Sequence, residues 1–246
     1  MDLSYRKTGL QHALVLILLV LAYIPKAQAQ TDTARATTPN KRSLLSIGWH
    51  YGKPLGSFAS TRNKPLWGMN VQGSFQLGHL PIDAGLAFNL DWLQRSTFDV
   101  RLARANAPDT TARAEVKHQS YALLPMVRLS PLRGAFQCYA ELFGGTRMFL
   151  NTTKVSAELP IGPRERTRYL MDFTAEWGLA AGVLVRVNPG AFLEFRFAYN
   201  RGGKALFLDR ESSTLDAQGR LDCNTIASAT QAWRATIAVG RLGGHN

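Results

Sequence analysis

Two histidines are the residues of this chain with the clearest chemical potential. His50 and His118 fall on segments of alternating polarity, and Asp91 and Ser120 fall on neighbouring segments of the same kind. An acid, a histidine and a hydroxyl group held together can support hydrolysis. A histidine inside a folded protein also serves as an ordinary hydrogen-bond partner, so the residue types leave both roles open. The sequence contains no phosphate-binding glycine motif, zinc-ligand spacing or nucleophile elbow, and it predicts no metal and no cofactor.

A second group of residues with chemical potential consists of charged side chains that alternate with apolar ones along the chain. Its members are Glu141, Arg147, Asp172, Glu176, Arg186, Glu194, Arg196 and Arg234. Because a lone buried charge is costly, charges that share one enclosed face are expected to pair. Arg186 and Glu194 flank the turn Asn188–Gly190 and are expected to be neighbours. Such a network can be either a charge-gated ion path or a salt-bridged plug, and a narrow barrel favours the plug.

These residues lie on eight segments in which every second position is apolar. A strand has a side-chain period of two, so each segment has one apolar face and one face of polar or small residues. The predicted strands are Leu44–Tyr51, Trp67–Gly78, Ile82–Trp92, Val116–Leu129, Ala135–Leu150, Tyr169–Val187, Ala191–Tyr199 and Gln231–Arg241. Pro125 lies inside the fourth segment and weakens that assignment.

The connectors between the segments alternate between short and long. The short ones are Gly78–Pro81, Ser130–Ala135 and Asn188–Gly190, and the long ones are Gly52–Leu66, Gln94–Glu115, Asn151–Arg168 and Arg201–Thr230. Short turns at one end and long loops at the other are typical of outer-membrane barrels, in which the short turns face the periplasm. The pattern predicts an all-β fold, an eight-stranded antiparallel up-and-down transmembrane β-barrel.

The composition of the two faces separates a membrane barrel from a soluble cup of the lipocalin type. The non-apolar face is rich in Gly and Ala, and Lys117 is the only lysine in a predicted strand, which suits a crowded lumen better than a surface in water. Aromatic residues on the apolar face lie toward the long-loop ends, as in a membrane girdle, and Trp177 near mid-strand is the exception. The girdle residues are Trp49, Tyr51, Trp67, Trp92, Tyr121, Tyr169, Tyr199 and Trp233.

The first 29 residues have the features of a secretory signal peptide. Arg6 and Lys7 precede the apolar run 13–22, and Ala27–Ala29 is an A-x-A cleavage site. The predicted organisation is a signal peptide over 1–29, a flexible segment over 30–43 and the barrel over 44–246. Cleavage lowers the net charge from +12 to +10, because three of 29 basic and one of 17 acidic residues are removed. An exported basic chain is expected to meet lipid phosphates at the outer membrane, and no nucleic acid.

The long connectors are basic. The first contains Lys53, Arg62 and Lys64, the second contains Arg95, Arg101, Arg104 and Arg113, and the third contains Lys154, Arg164, Arg166 and Arg168. They are expected either to bind lipopolysaccharide phosphates or to dock an exported protein, and the alternative is a solvated positive surface. Cys138 follows a short turn and Cys223 lies in the last long connector, most of a bilayer away. Both thiols are therefore expected to be unpaired.

The eight strands and Gly-rich segments such as 177–183 and 238–240 resemble the small outer-membrane barrel domain of Bacteroidetes-type bacteria, called PorT-like. The resemblance covers about Ser43–Arg241. Members of that class are mostly of unknown function, and a few are linked to protein secretion or surface adhesion. The barrel is expected to be a monomer. We therefore expect a structural or binding barrel with a charge-plugged lumen. The alternatives are a small channel for ions or small solutes and, less favoured, a rim-located lipid-modifying enzyme or protease.

Overall fold

The computed structural model describes residues 42–61, 64–101, 111–131, 134–159, 162–188, 190–208, 214–215, 221–222 and 225–243, all within the unit Asn40–Asn246. Eight long strands of these ranges form a closed antiparallel barrel. They are β1 (Ser43–Pro54), β2 (Leu66–Gln76), β3 (Ile82–Arg101), β4 (Thr111–Leu129), β5 (Phe136–Leu159), β6 (Gly162–Asn188), β7 (Ala191–Leu208) and β10 (Thr225–Gly243). The predicted signal peptide, most of the segment 30–43 and Cys223 lie outside the described residues.

Strand order confirms the up-and-down barrel. Each barrel strand pairs with its neighbour in the chain, and β1 closes the barrel against β10 from the pair Ser43 and Gly243 to the pair Pro54 and Ala232. Every pairing is antiparallel. Closure leaves no strand edge inside the barrel wall, so the backbone polar groups of the wall are satisfied internally, as a membrane requires.

The alternation of side chains places apolar residues on the outside. Large apolar side chains such as Phe136 and Ile237 are 67% and 60% exposed, while inward-pointing Glu194 and Asp91 are fully buried. A water-soluble cup would show the reverse arrangement, with the apolar face enclosed. An apolar outer surface of this extent is stable only against hydrocarbon. The chain is therefore a transmembrane β-barrel.

Tight turns join the strands at the lower end, which is defined here as the end without long connectors. The β2–β3 and β4–β5 turns contain Gly78 (φ 59°) and Gly134 (φ 140°). Residues with a Cβ rarely adopt such positive φ values. In the β6–β7 turn the side-chain oxygen of Asn188 accepts a hydrogen bond of 3.0 Å from the Gly190 amide. The short connectors predicted from the sequence are confirmed.

The strands are longer than predicted at the upper end, where the long connectors lie. Strand β5 continues past Leu150 to Leu159, and it pairs there with β6, which begins at Gly162 instead of Tyr169. Strands β3 and β4 also pair beyond the predicted ends, up to Arg101 and Thr111. Much of what was predicted as loop is therefore strand. The apolar period signals only the part of a strand in lipid, and backbone pairing continues without that signal.

Pro125 is accommodated inside β4 by an irregular pairing. Leu124 and Pro125 have no partners in the β4–β5 register, which resumes on either side at the pairs Leu123–Thr146 and Met126–Phe143. Gly144 and Gly145 of β5 lie opposite this gap. Pro has no amide hydrogen to donate, so this two-residue gap in the β4–β5 ladder removes the conflict that the sequence raised.

Three small elements lie at the upper end. Helix α1 (Gly56–Thr61) lies in the β1–β2 connector, and the two-residue strands β8 (Thr214–Leu215) and β9 (Leu221–Asp222) pair with each other. Helix α1 packs mainly against β10. No helix among the described residues is long and apolar enough to cross a membrane.

Candidate functional site

The upper half of the lumen holds a group of ionised side chains, here called the upper ionic layer. Arg147 forms ion pairs with Asp91 and Glu176, and its Nη2 donates to Glu176 at 3.0 Å. Arg234 donates to Asp91 at 3.1 Å and to Glu176 at 3.4 Å. Asn200 adds a hydrogen bond to Glu176 at 2.5 Å. Two guanidinium groups thus face two carboxylates, and each carboxylate contacts both arginines.

A second group, the lower ionic layer, lies toward the short turns. Arg128 binds Glu141 and Glu194 at 2.9 Å each, and Arg196 binds Glu141 at 2.6 Å. The Tyr139 hydroxyl donates to Glu194 at 2.5 Å, and its ring lies 3.8 Å from the Arg128 guanidinium carbon. This layer also contains two arginines and two glutamates. Both layers are therefore charge-balanced, which is the condition under which buried ions are tolerated.

The structure brings together most, but not all, of the charged residues selected from the sequence. Those in the two layers are Glu141, Arg147, Glu176, Glu194, Arg196 and Arg234. Two further members, Asp91 and Arg128, complete the charge balance and were not selected for the network. Their signal was available, because both occupy inward positions of the alternating pattern.

Arg186 and Asp172 do not have the expected ionic partners. Register pairs Glu194 with Leu184 and Arg186 with Phe192, so Arg186 and Glu194 are diagonal neighbours in the β6–β7 pair, as predicted. Glu194 nevertheless forms its ion pair with Arg128 across the lumen instead of with Arg186. Asp172 lies above the upper ionic layer and accepts the backbone amide of Leu206 at 2.7 Å. Its carboxylate holds strands together instead of balancing a lumen arginine.

An apolar layer lies between the two ionic layers on the β3–β7 side of the lumen. Its buried members are Ala87, Ala122, Leu124, Met126, Phe143, Ala180 and Ala198. Small residues make room for the large ones: a Cβ on Gly178 would lie 2.5 Å from Cζ of the Phe143 ring. The Gly-rich inner face is thus a packing requirement. On the β2–β3 side the same level holds Asn70 and Asn89, joined by a hydrogen bond of 2.7 Å, and Gln72, which donates to Glu194, so this part of the lumen is closed by packed side chains of both kinds.

The upper end of the lumen is covered by an apolar group, here called the cap. Phe58 of helix α1 is 3% exposed and packs against Phe207, whose ring in turn meets Phe149 edge-on at 5.3 Å between centroids. Leu66, Leu93, Ala205 and Ala232 complete the cluster. A small cavity lies between the cap and the upper ionic layer. A loop from the β1–β2 connector therefore folds inward over the barrel.

The four residues considered for hydrolytic chemistry lie inside the lumen. His50 Nε2 contacts Asp91 at 2.6 Å, and Ser120 Oγ donates to the same carboxylate at 2.8 Å, with all three residues at most 2% exposed. Asp91 thus lies between the histidine and the serine, whereas a hydrolase needs the histidine next to the hydroxyl group. His118 contacts Asn151 through Nδ1. These residues are part of the buried hydrogen-bond network, and this cluster lacks the geometry of a catalytic group.

Aromatic side chains form an outward band toward the upper end, here called the aromatic belt. Its described members are Trp49, Tyr51, Trp67, Trp92, Tyr121, Tyr199 and Trp233. Neighbours stack across strands, for example Trp49 with Trp92 at 5.8 Å and Tyr199 with Trp233 at 4.8 Å between ring centroids. Tyr169 lies where only the backbone is described. Such a band marks the level of a membrane interface.

Trp177 joins the aromatic belt although it lies near the middle of its strand. In the β6–β7 pair it lies opposite Arg201, one side-chain step above the pair Leu179–Tyr199. The Arg201 guanidinium is 6.0 Å from the Trp177 ring centroid. Strands in a barrel are tilted and staggered, so position along one strand does not give height in the membrane.

A group of charged side chains lies on the outer surface directly above the aromatic belt. Arg95 holds Glu115 with Nε–Oε1 and Nη2–Oε2 distances of 2.6 and 3.0 Å, and Lys117 binds the same carboxylate at 3.2 Å. Although partial burial raises the pKa of Glu115, the hydrogen bonds from Arg95 and Lys117 outweigh it and leave that pKa below its usual value. Within the described residues, no cluster of His, Cys, Asp or Glu has the composition to hold a metal ion.

Comparison with known proteins gives structural likeness without a sequence relative. No family model matches the chain, and no curated protein matches it. Ail, the attachment invasion locus protein of Yersinia pestis, is 13% identical with a TM-score of 0.40, over 83% of this chain and 99% of Ail. Neisserial surface protein A is 10% identical with a TM-score of 0.43, over 82% of this chain and 97% of that protein. A major outer membrane protein from Thermus thermophilus is 9% identical with a TM-score of 0.44, over 83% of this chain and 100% of that protein.

The location follows from the barrel itself. A closed antiparallel barrel of even strand number, with an apolar outer surface, an aromatic belt and tight turns at one end, is the architecture of the outer membrane. The chain is an outer-membrane β-barrel protein. Cys138, which is free and exposed, lies low on its outward surface.

Proposed function

We propose that this protein is a non-conducting outer-membrane barrel with a structural or binding role, performed by the part that projects above the bilayer. The observation that carries the proposal is the content of the lumen. Two charge-balanced ionic layers, an apolar layer between them and the cap above them occupy it along its length. A transport function needs a continuous polar path, and side chains occupy that space.

The energetics of the two ionic layers support closure. An eight-stranded barrel has an interior just wide enough for its own side chains. Passage of an ion would require Arg147 or Arg128 to leave two carboxylates, and breaking a buried pair costs about 3–5 kcal/mol. Each layer would have to open in turn, with the apolar layer still to cross.

Electrical recording tests the proposal directly. The mature protein is inserted into planar lipid bilayers, and single-channel currents are measured in parallel with a porin as a positive control. No stable conductance is expected. A persistent open pore of nanosiemens scale would reject the closed lumen and establish the small channel instead.

The partner bound above the bilayer is a lipid phosphate or an exported protein. Basic residues on the extended strands favour the phosphate, as with Arg95 and Lys117. An exported protein is favoured by a different observation: within the residues that the structure describes, the part of β6 before Glu176 has backbone pairs with β5 and none with β7. Such an edge accepts an added strand. A role of this second kind would agree with the PorT-like resemblance.

Protease shaving of intact cells tests the orientation on which both partners depend. Cleavage within the upper connectors, with the lower turns protected, is the expected pattern. Protection of the upper connectors in intact cells and cleavage only after lysis would place them in the periplasm and remove this proposal.

A further inference from the structure

The charged group above the aromatic belt has a regular arrangement across three strands. Arg95 of β3 lies opposite Lys117 of β4, and Glu115 of β4 lies opposite Lys154 of β5. Arg113 lies two residues before Glu115 and therefore on the same face of β4. The five residues, here called the outer basic patch, contain four cations and one carboxylate. Asp99 of β3 lies opposite Arg113 in the same register, so the barrel brings these four basic residues and two acidic residues to one side of its wall.

The two cations nearest the belt are accessible. The side chains of Arg95 and Lys117 are 56% and 46% exposed, whereas Glu115, which they share, is 19% exposed. Arg95 binds Glu115 through two nitrogens, so its guanidinium fork is already oriented for a planar or tetrahedral oxyanion. Glu115 carries one negative charge against the two positive charges of Arg95 and Lys117, so this part of the patch retains a net positive charge.

The aromatic belt fixes the height of the outer basic patch. Arg95 lies three residues beyond Trp92, and Lys117 lies four residues from Tyr121 toward the upper end of β4, which corresponds to about 10–13 Å along a strand. Strand tilt shortens this distance along the membrane normal. The headgroup region adds roughly 5–8 Å to each side of the hydrocarbon core, and long basic side chains can bend toward it. The outward-pointing side chains of the patch therefore lie at the level of the lipid headgroups.

We propose that the outer basic patch is a binding site for the phosphate of an outer-leaflet glycolipid, with Arg95 and Lys117 as the primary contacts and Lys154 and Arg113 as supporting charges. This assignment rests on the proposed function and names the partner of the binding surface. The phosphate binds the outer arc of the Arg95 fork and the Lys117 ammonium group. Glu115 keeps both cations in place between binding events.

A binding measurement with matched variants tests the site. The folded protein in detergent micelles is titrated with phosphorylated lipid A, with the same lipid after phosphatase treatment, and with inorganic phosphate, and binding is measured by native mass spectrometry. The double variant R95Q/K117Q removes two cations from the patch. The control R201Q/K204Q removes two exposed cations from β7, and heat-modifiable gel mobility verifies that every variant is folded.

The expected result is a loss of about thirtyfold in affinity for phosphorylated lipid A in R95Q/K117Q, the effect of two cations at an anionic membrane surface. R201Q/K204Q should lose less than about threefold in affinity, and added salt should weaken binding by the wild type more than binding by R95Q/K117Q. The dephosphorylated lipid should bind all variants alike.

Three results would overturn the assignment. Equal losses in the two double variants would show that only overall charge matters. Inorganic phosphate binding as tightly as the lipid would identify a free anion as the ligand. Loss of an exported protein partner in R95Q/K117Q, with lipid binding intact, would identify the patch as a protein-docking surface. Bilayer conductance is independent of these outcomes, so failure of the site and failure of the closed lumen remain distinguishable.

Discussion

Replacement of Arg147 by Met should destabilise the barrel severely. Arg147 is 3% exposed and donates hydrogen bonds to Asp91, Ser120 and Glu176. Without it, two buried carboxylates share Arg234 alone, and one negative charge has no counterion. Removing one partner of a buried ion pair costs about 3–5 kcal/mol. Methionine fills most of the vacated volume, so the loss comes mainly from charge.

The measurement is equilibrium unfolding by urea in lipid vesicles, followed by tryptophan fluorescence. The free energy of unfolding should fall by about 3–5 kcal/mol in R147M. The matched control is R201M, since Arg201 lies outside the lumen against Trp177. An exposed cation–π contact is worth about 0.5–1 kcal/mol, and R201M should lose no more than that.

The double variant R147M/E176M distinguishes charge balance from simple packing. It leaves Asp91 paired with Arg234 at 3.1 Å, so the layer is again neutral. The double variant should therefore be no less stable than R147M, although it removes one more polar side chain. A loss in R147M below about 1 kcal/mol, or a double variant whose loss equals the sum of both single variants, would refute the argument.

Three further predictions concern the packing and the orientation of the barrel. Gly178→Ala should lower the free energy of unfolding by about 1–3 kcal/mol in the same assay, because the added Cβ would meet the ring of Phe143. The control Gly144→Ala should be close to neutral, since the nearest atoms to its Cβ are 3.6 Å away. Equal effects of the two substitutions would contradict the packing argument. Phe58→Ala should release the cap at a cost of about 3 kcal/mol, seen as roughly hundredfold faster hydrogen exchange in helix α1. Unchanged exchange would show that the aromatic cluster does not hold the helix. Cys138 should react with a water-soluble maleimide at least about tenfold more slowly in vesicles than in urea, and fast labelling in vesicles would place its face in water.

The alternating pattern was enough to predict which strand residues point into the lumen and which point to lipid. Residues two apart on a strand share a face, so Glu141 and Arg147 were correctly placed inside, and Trp49 and Trp233 outside, without any knowledge of partners. The turns at Gly78 and Asn188 were equally accessible, because turn chemistry depends on a few adjacent residues. These features depend on local sequence.

The partners inside the lumen were not accessible in the same way. Arg128 of β4 reaches Glu194 of β7 across the barrel, although the two strands are not neighbours in the sheet. Arg186 and Glu194 are diagonal neighbours as expected, but the Glu194 carboxylate binds Arg128 because the closed lumen brings that guanidinium within reach. Cross-lumen distances depend on the diameter, tilt and stagger of the closed barrel, which no single strand encodes.

The sequence alone predicted the strand segments that lie in lipid, their inward and outward faces, and the aromatic side chains at one end. Each of these follows from the side-chain period of two in a barrel whose outer face meets lipid and whose inner face is polar. Tertiary structure decided which charges neutralise one another, how far the strands project, that Phe58 folds over the lumen and that Arg95, Lys117 and Lys154 lie together. The physical reason is closure. Once eight strands form a ring, curvature and stagger bring residues from distant parts of the chain to the same level.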